Sequence, residues 1–220
     1  TRAAHAPVLN AGCPELMVHA VERAAELAPL LVRATVVVVG PGLGRSAWSQ
    51  QLLGRVLDSG LPLVMDADAL NLLAQEPLRR DDWILTPHPG EAARLLAQSS
   101  AEIQRDRCAA LERLVADYGG SVVLKGAGSL IGDATAGMRL CAHGNPGMAS
   151  GGMGDVLSGV LGALLAQGLA RFEAATTGVW LHAVAADRAA AQGERGLLAH
   201  DLLPWLRTLV NPDGRKQAPA

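Results

Sequence analysis

The chain has 220 residues, half of them apolar and 18% charged, with 19 basic side chains against 21 acidic ones. This composition excludes a disordered chain, and a net charge of −2 supplies no electrostatic footprint for nucleic acid or an anionic membrane. Only 3% of residues are aromatic, so the core must be assembled from Ala, Val and Leu, and the length favours one sizeable domain, residues 1–210, over two small ones.

Helical periodicity opens the chain at residues 15–27. An apolar run at 35–39 has strand length and leads into Gly40-Pro-Gly-Leu-Gly44, after which 47–57 has helical period. A second run, 61–65, ends in Asp66-Ala-Asp68 and the helical stretch 69–74. A third, 83–85, ends in Thr86-Pro-His-Pro-Gly-Glu91 and the helical stretch 91–97. A longer helix is expected at 101–117, and the fourth run, 121–124, ends in Lys125-Gly-Ala-Gly-Ser129. Each strand-like run is continuous rather than alternating, as expected for strands covered on both faces. Strand and helix alternate, which predicts an α/β fold with a mostly parallel, doubly wound sheet flanked by helices.

After Lys125 two short β-like pieces, 129–131 and 138–141, bracket a turn with Gly132 and Gly137 and read as a hairpin at the sheet edge. The stretches 155–167 and 174–186 are apolar nearly all round and predict two deeply placed helices. The tail, 211–220, carries Pro212, Gly214 and Pro219 without periodicity and is expected to fray. Cys13, Cys108 and Cys141 are odd in number and far apart, which argues against a disulfide framework or a zinc site and for a reducing, cytoplasmic setting. The longest uncharged stretch, 156–170, is too short to cross a bilayer core of about 30 Å, and no charged-then-apolar leader opens the chain.

In open α/β sheets ligands bind beyond the carboxyl ends of the strands, so the four loops that follow the strands should open on one crevice. The most informative segment is Gly144-Asn-Pro-Gly-Met-Ala-Ser-Gly-Gly-Met-Gly-Asp155, a glycine-dense loop running into an apolar helix. Gly151, Gly152, Met153 and Gly154 would form an anion cradle, because glycines let successive N–H groups converge and a helix start adds partial positive charge. A carboxylate beside a bound phosphate is repelled by it, and Asp155 escapes that conflict as a general base that takes the proton from an attacking hydroxyl. Its plainer reading is an acidic residue favoured by the helix dipole.

Lys125 is one of two lysines in the chain, the other being Lys216. At the end of a buried strand its ammonium either meets nucleotide phosphates or snorkels to solvent. His88 lies between two prolines that fix the backbone and aim the ring, or else simply marks a strand-to-helix turn. Asp66 stands where a ribose-binding acid would be sought, yet Gly40–Gly44 does not match G-x-G-x-x-G and Pro41 removes a backbone donor. No G-x-x-x-x-G-K-S/T sequence is present, which excludes an ordinary P-loop NTPase.

Taken in order, GPGLG (40–44), MDADALN (65–71), TPHPGE (86–91), KGAGS (125–129) and GNPGMASGGMGD (144–155) resemble the ADP-dependent NAD(P)H-hydrate dehydratases of the ribokinase-like superfamily, from about Val8 to about Leu206. The resemblance implies repair of hydrated nicotinamide cofactors, NADHX and NADPHX, with phosphoryl transfer from ADP to the ring hydroxyl followed by loss of phosphate. Gly42 or Gly44, His88 and Asp155 would face the hydrated dinucleotide. Lys125, Gly126, Ala127, Gly128, Ser129 and Gly154 would hold the adenine nucleotide, ADP or ATP. Mg²⁺ is expected to bridge the phosphates, although no metal-ligand cluster is visible, and a homotetramer is expected. Ser129 stands where Thr is common in the family, which keeps the hydroxyl. The family's opening strand–helix segment and the epimerase domain fused to some members are expected to be absent. Two other readings share the GGMGD cradle: a ribokinase-like kinase of a small alcohol, and a non-catalytic nucleotide-binding module.

Overall fold

The computed structural model describes residues 1–211. Helix α1 (Ala6–Gly12) and the short α2 (Ala28–Leu31) precede β1 (Val37–Val39), and then α3 (Ala47–Asp58), β2 (Leu63–Met65), α4 (Ala67–Leu73), β3 (Trp83–Leu85) and α5 (Pro89–Leu95) alternate. Helices α6 (Ser100–Arg105) and α7 (Arg107–Tyr118) lead to β4 (Ser121–Leu124), followed by β5 (Ser129–Asp133) and β6 (Gly137–Cys141). Helices α8 (Met153–Ala166), α9 (Arg171–Ala190) and α10 (Leu202–Leu209) complete the described chain.

The six strands form one sheet in sequential order, parallel from β1 to β4 and antiparallel through the β5–β6 hairpin at the edge. Alternation of side chains along each strand divides the core in two. Leu63, Met65, Trp83, Leu85, Val122 and Leu124 face one way and pack with the apolar stripes of α3 to α7. Val64, Ile84 and Val123 face the other way and pack on α8 and α9. Both faces of the central strands are therefore dry, which is why their sequences are apolar but for Ser121, whose buried hydroxyl donates to Asp133 Oδ2 at 2.9 Å. Among the described residues no helix is long and apolar enough to cross a membrane. Cys13, Cys108 and Cys141 are all free.

Three sequence-based expectations are corrected. Residues 15–27 do not form a helix: only Ala24–Leu27 makes a short 3-10 turn. Tertiary bonds hold Val21 instead, its N–H donating to the Thr1 carbonyl and its own carbonyl accepting from the Trp48 indole, at 2.8 and 3.1 Å. The helix expected at 101–117 is broken at Asp106, which adopts φ −145°, ψ 85° and caps α7 by accepting from Ala109 N–H at 2.9 Å. Strand β1 is not covered on both faces; it ends the described sheet, and Val38 is 40% exposed. The expected fraying at 212–220 lies outside the described residues.

Candidate active site

The carboxyl ends of β1 to β4 carry the polar loops, and the fold bonds them to one another. Lys125 follows β4; its backbone N–H donates to the Pro87 carbonyl at 2.9 Å, and its ammonium meets Asp66 Oδ1, just past β2, at 2.6 Å. Glu91 Oε2 lies 3.9 Å from the same ammonium. Asp66 and Glu91 are both buried although charged, a costly placement that requires partners. The Lys125 ammonium supplies one, and Ser158 Oγ, on α8, donates to Asp66 Oδ2 at 2.9 Å.

Helix α8 starts at Met153 after Gly152, which serves as N-cap with φ +84°, a left-handed conformation that favours glycine. No side chain caps the helix start, so its first N–H groups are open to an anion. The Met153 side chain is buried against Ala185, Ala186, Leu197 and Leu202, so only its backbone can serve the cradle. Gly154 is where the cradle meets the cation: a Cβ there would lie 3.2 Å from Lys125 Nζ. Asp155, in the first turn, is exposed. The approach to this helix is pinned from α9, with Asp187 accepting from Gly144 N–H and the Asn145 amide, both at 3.0 Å.

Strand β4 leads into 125–129, where Gly126 (φ +151°) and Gly128 (φ +69°) turn the backbone and Ser129 Oγ donates back to the Gly126 carbonyl. Arg107, at the first position of α7, holds this loop from below: Nη1 donates to the Ala127 and Gly128 carbonyls at 2.7 and 2.9 Å, and Nη2 to the Leu124 carbonyl at 3.1 Å. The break at Asp106 is what delivers Arg107 there.

His88 caps α5, its Nδ1 accepting from Gly90 N–H at 2.9 Å, while Glu91 Oε2 accepts from His88 N–H at 2.8 Å. The imidazole Nε2 lies 3.4 Å from Glu91 Oε1, yet burial outweighs that carboxylate and holds the ring below the usual histidine range, leaving it neutral. The ring is thus a helix cap, as the plainer reading had it, and its other nitrogen faces Glu91, which in turn faces the Lys125 ammonium. Gly44 donates its N–H to Asp68 Oδ2 at 2.8 Å, which fixes the 40–44 loop to the start of α4. Gly42 is exposed, with φ +63°.

Sequence reasoning did not select Glu91, Arg107 or Ser158 as functional, and it assigned Asp66 to a different task. The signal for Ser158 is a polar residue on the inward side of an otherwise apolar helix, four residues after Gly154. For Arg107 there was none, because one arginine among many carries no mark of its target. A buried His182 on α9 was also unmarked: its Nε2 has no partner among the described residues, and burial pushes the ring down to about 4.

No group of three or more His, Cys, Asp or Glu that could hold a metal ion occurs among the described residues. Each Asp66 oxygen already has a protein partner, Lys125 Nζ on one and Ser158 Oγ on the other.

The model of the NAD(P)H-hydrate dehydratase family matches residues 1–207. The bifunctional NAD(P)H-hydrate repair enzyme of Coxiella burnetii is 58% identical over 213 residues, covering 96% of this chain and 44% of that protein. The chain thus spans less than half the length of that relative. The ADP-dependent (S)-NAD(P)H-hydrate dehydratase of Neisseria meningitidis is 42% identical over 212 residues, covering 91% of this chain and 71% of that protein. Among solved structures, the ADP/ATP-dependent NAD(P)H-hydrate dehydratase of Bacillus subtilis, co-crystallised with ATP and Mg²⁺, superposes with a TM-score of 0.70 at 30% identity, covering 79% of this chain and 62% of that one. With its six-stranded ribokinase-like sheet and its matched length, the chain belongs to the NAD(P)H-hydrate dehydratase family.

Proposed function

We propose that this chain restores NADH or NADPH from the hydrated forms by an ADP-dependent dehydration. One observation supports the reading: a cation (Lys125) lies against Gly154 in an uncapped helix start (Gly152–Gly154), and the next residue, Asp155, is an exposed carboxylate. The name of the Neisseria relative supports ADP as the nucleotide.

Hydroxide is a poor leaving group and phosphate a good one, so the ring hydroxyl is activated by phosphorylation. Asp155 takes the hydroxyl proton as the oxygen attacks the terminal phosphorus of ADP, and the P–O bond to AMP breaks. The N–H groups of the α8 start and the Lys125 ammonium bind the transferring group, offsetting its charge and aligning it. The C–O bond of the phosphorylated ring then breaks, phosphate leaves, and loss of a proton from the neighbouring carbon re-forms the ring double bond. Lys125, Gly126, Ala127, Gly128 and Ser129 hold the adenine nucleotide, with Arg107 fixing the Lys125, Ala127 and Gly128 carbonyls. In this reading His88, Gly42 and Gly44 contact the dinucleotide, and the imidazole, whose Nδ1 is taken up as a helix cap, donates from Nε2.

Mg²⁺ would fit as an ion carried on the nucleotide phosphates, which is how this small, strongly hydrated cation usually binds, with the exposed Asp155 as the carboxylate of the helix start that would receive it. The reading includes a cytoplasmic setting and a homotetramer, for which exposed Leu140 and Trp180, at 63% and 43%, offer apolar surface; mass in solution tests the latter.

The decisive experiment follows the near-ultraviolet band of reduced nicotinamide when NADHX is incubated with the protein, Mg²⁺ and ADP, with ATP and nucleotide-free controls. Recovery that requires nucleotide is the expected result. Nucleotide consumption with accumulation of a phosphorylated alcohol and no recovery overturns the reading in favour of a kinase, and ADP binding without any turnover overturns it in favour of a binding module.

A further inference from the structure

Asp66 takes no part in the steps above, yet the crevice is built around it. It is 1% exposed, and its two oxygens reach different elements: Lys125, after β4, at 2.6 Å and Ser158, on α8, at 2.9 Å. The backbone is shaped to admit it. Gly40 packs against the Asp66 carbonyl where a Cβ would overlap the oxygen, and a Cβ on Gly154 would lie 3.3 Å from Asp66 Oδ2. Ala67, the next residue, adopts φ +49°, which a non-glycine residue rarely does without compensation. The polar residues that follow in the same motif brace the neighbouring loops: Asp68 accepts from Gly44 N–H at 2.8 Å, and Asn71 Oδ1 accepts from Arg94 Nε, on α5, at 2.6 Å.

A lysine is a point charge on a flexible four-carbon stem with three donors, and it approaches any nearby anion unless it is held. Ser158 occupies one Asp66 oxygen and thereby fixes the carboxylate, which leaves the other oxygen in one place for Lys125. The same hydrogen bond ties that carboxylate to the helix whose first turn carries Asp155, three residues earlier. The position of the ammonium is thus set relative to the start of α8 and not left to its own flexible stem.

Resting on the functional reading above, we propose that Asp66 is a positioning residue that acts through Lys125: together with Ser158 it fixes the ammonium against the α8 start, in register with Asp155, so that it meets the transferring phosphoryl group.

The test is a double-mutant cycle on the full chain, with Asp66→Asn, Lys125→Met and the pair, read in ADP affinity by calorimetry and in ADP-dependent kcat, with melting temperature as the folding control. Asp66→Asn is expected to lower kcat by about 30-fold or more when Lys125 is present and by less than about 3-fold in the Lys125→Met background. The pair should melt above Lys125→Met alone, because Asn relieves an unpaired buried carboxylate. Ser158→Ala should show the same dependence on Lys125 with a smaller loss, and it decides the question if Asp66→Asn does not fold. Equal losses in both backgrounds overturn the proposal, since a structural role would not depend on Lys125. A wild-type chain that binds ADP without restoring reduced nicotinamide overturns only the functional reading, and the cycle is then read in ADP affinity. Failure of the wild-type chain to bind ADP overturns both.

Discussion

The guanidinium of Arg107 fills the space that a side chain on Gly126 would need: a Cβ there would lie 2.9 Å from Arg107 Nη2. The two residues are 19 positions apart, and the loop between β4 and β5 takes its shape from their contact. Arg107→Ala therefore removes a charged donor from four carbonyls, one at the end of β4 and three in the loop, and hydrogen bonds of that kind are worth about 1.5–3 kcal/mol. ADP affinity should fall roughly tenfold or more, measured by calorimetry, and Lys should not restore it, because an ammonium lacks the planar fork.

Gly154 gives a graded test of where the phosphate sits. A Cβ would stand 3.2 Å from Lys125 Nζ, tight enough that the ammonium must shift by a few tenths of an ångström. Gly154→Ala should weaken ADP binding about 3-fold and Gly154→Val at least about 10-fold, since branching adds methyl groups that cannot be accommodated. Unchanged affinity in the Val variant would refute the proposed phosphate position.

Asp155→Asn keeps the helix start and the cation while removing the base. Turnover should drop about 10²- to 10⁴-fold with ADP affinity nearly intact. Single-turnover kinetics beside calorimetry separate the two quantities, and a variant with near-normal rate would end the assignment.

His88 has two tasks that substitution can pull apart. His88→Ala loses the Nδ1 bond to Gly90 N–H, a cap worth about 1 kcal/mol, together with the ring. His88→Asn supplies a good cap acceptor without the imidazole. The Asn variant should recover most of the melting temperature yet still bind the hydrated dinucleotide poorly while binding ADP normally. Recovery of both properties would leave His88 as a cap alone.

His182 predicts how stability depends on pH. Burial pushes its imidazole from 6.5 down to about 4, so the unfolded chain binds the extra proton first as pH falls. The stabilisation is complete above about pH 6.5, declines through the window to about 4, and amounts to a loss on the order of 3 kcal/mol. Urea melts at pH 7.5 and 5 should show the decline, and His182→Gln should flatten it; an equal decline in the variant would place the sensitivity elsewhere.

The sheet was legible because its cause is local. Strands dry on both faces are almost wholly apolar, and the runs read at 61–65, 83–85 and 121–124 announce themselves. The glycine-dense approach to Asp155 was legible for the same reason, since positive φ at Gly152 and an uncapped helix start leave a trace in the sequence. Residues 15–27 show the opposite: their helical period is overruled by bonds from Val21 to Thr1 and Trp48, which no window of sequence contains.

What the sequence determined by itself is the layered α/β framework and the set of loops at its strand ends, because backbone propensity and burial act over a few residues at a time. What only the tertiary structure decided is which side chains meet there. Asp66 with Lys125 is a contact across 59 positions, and Asp66 with Ser158 one across 92. A carboxylate read alone is equally a ribose acid, a cap or a surface charge; its task is fixed by the partners that its burial compels it to find.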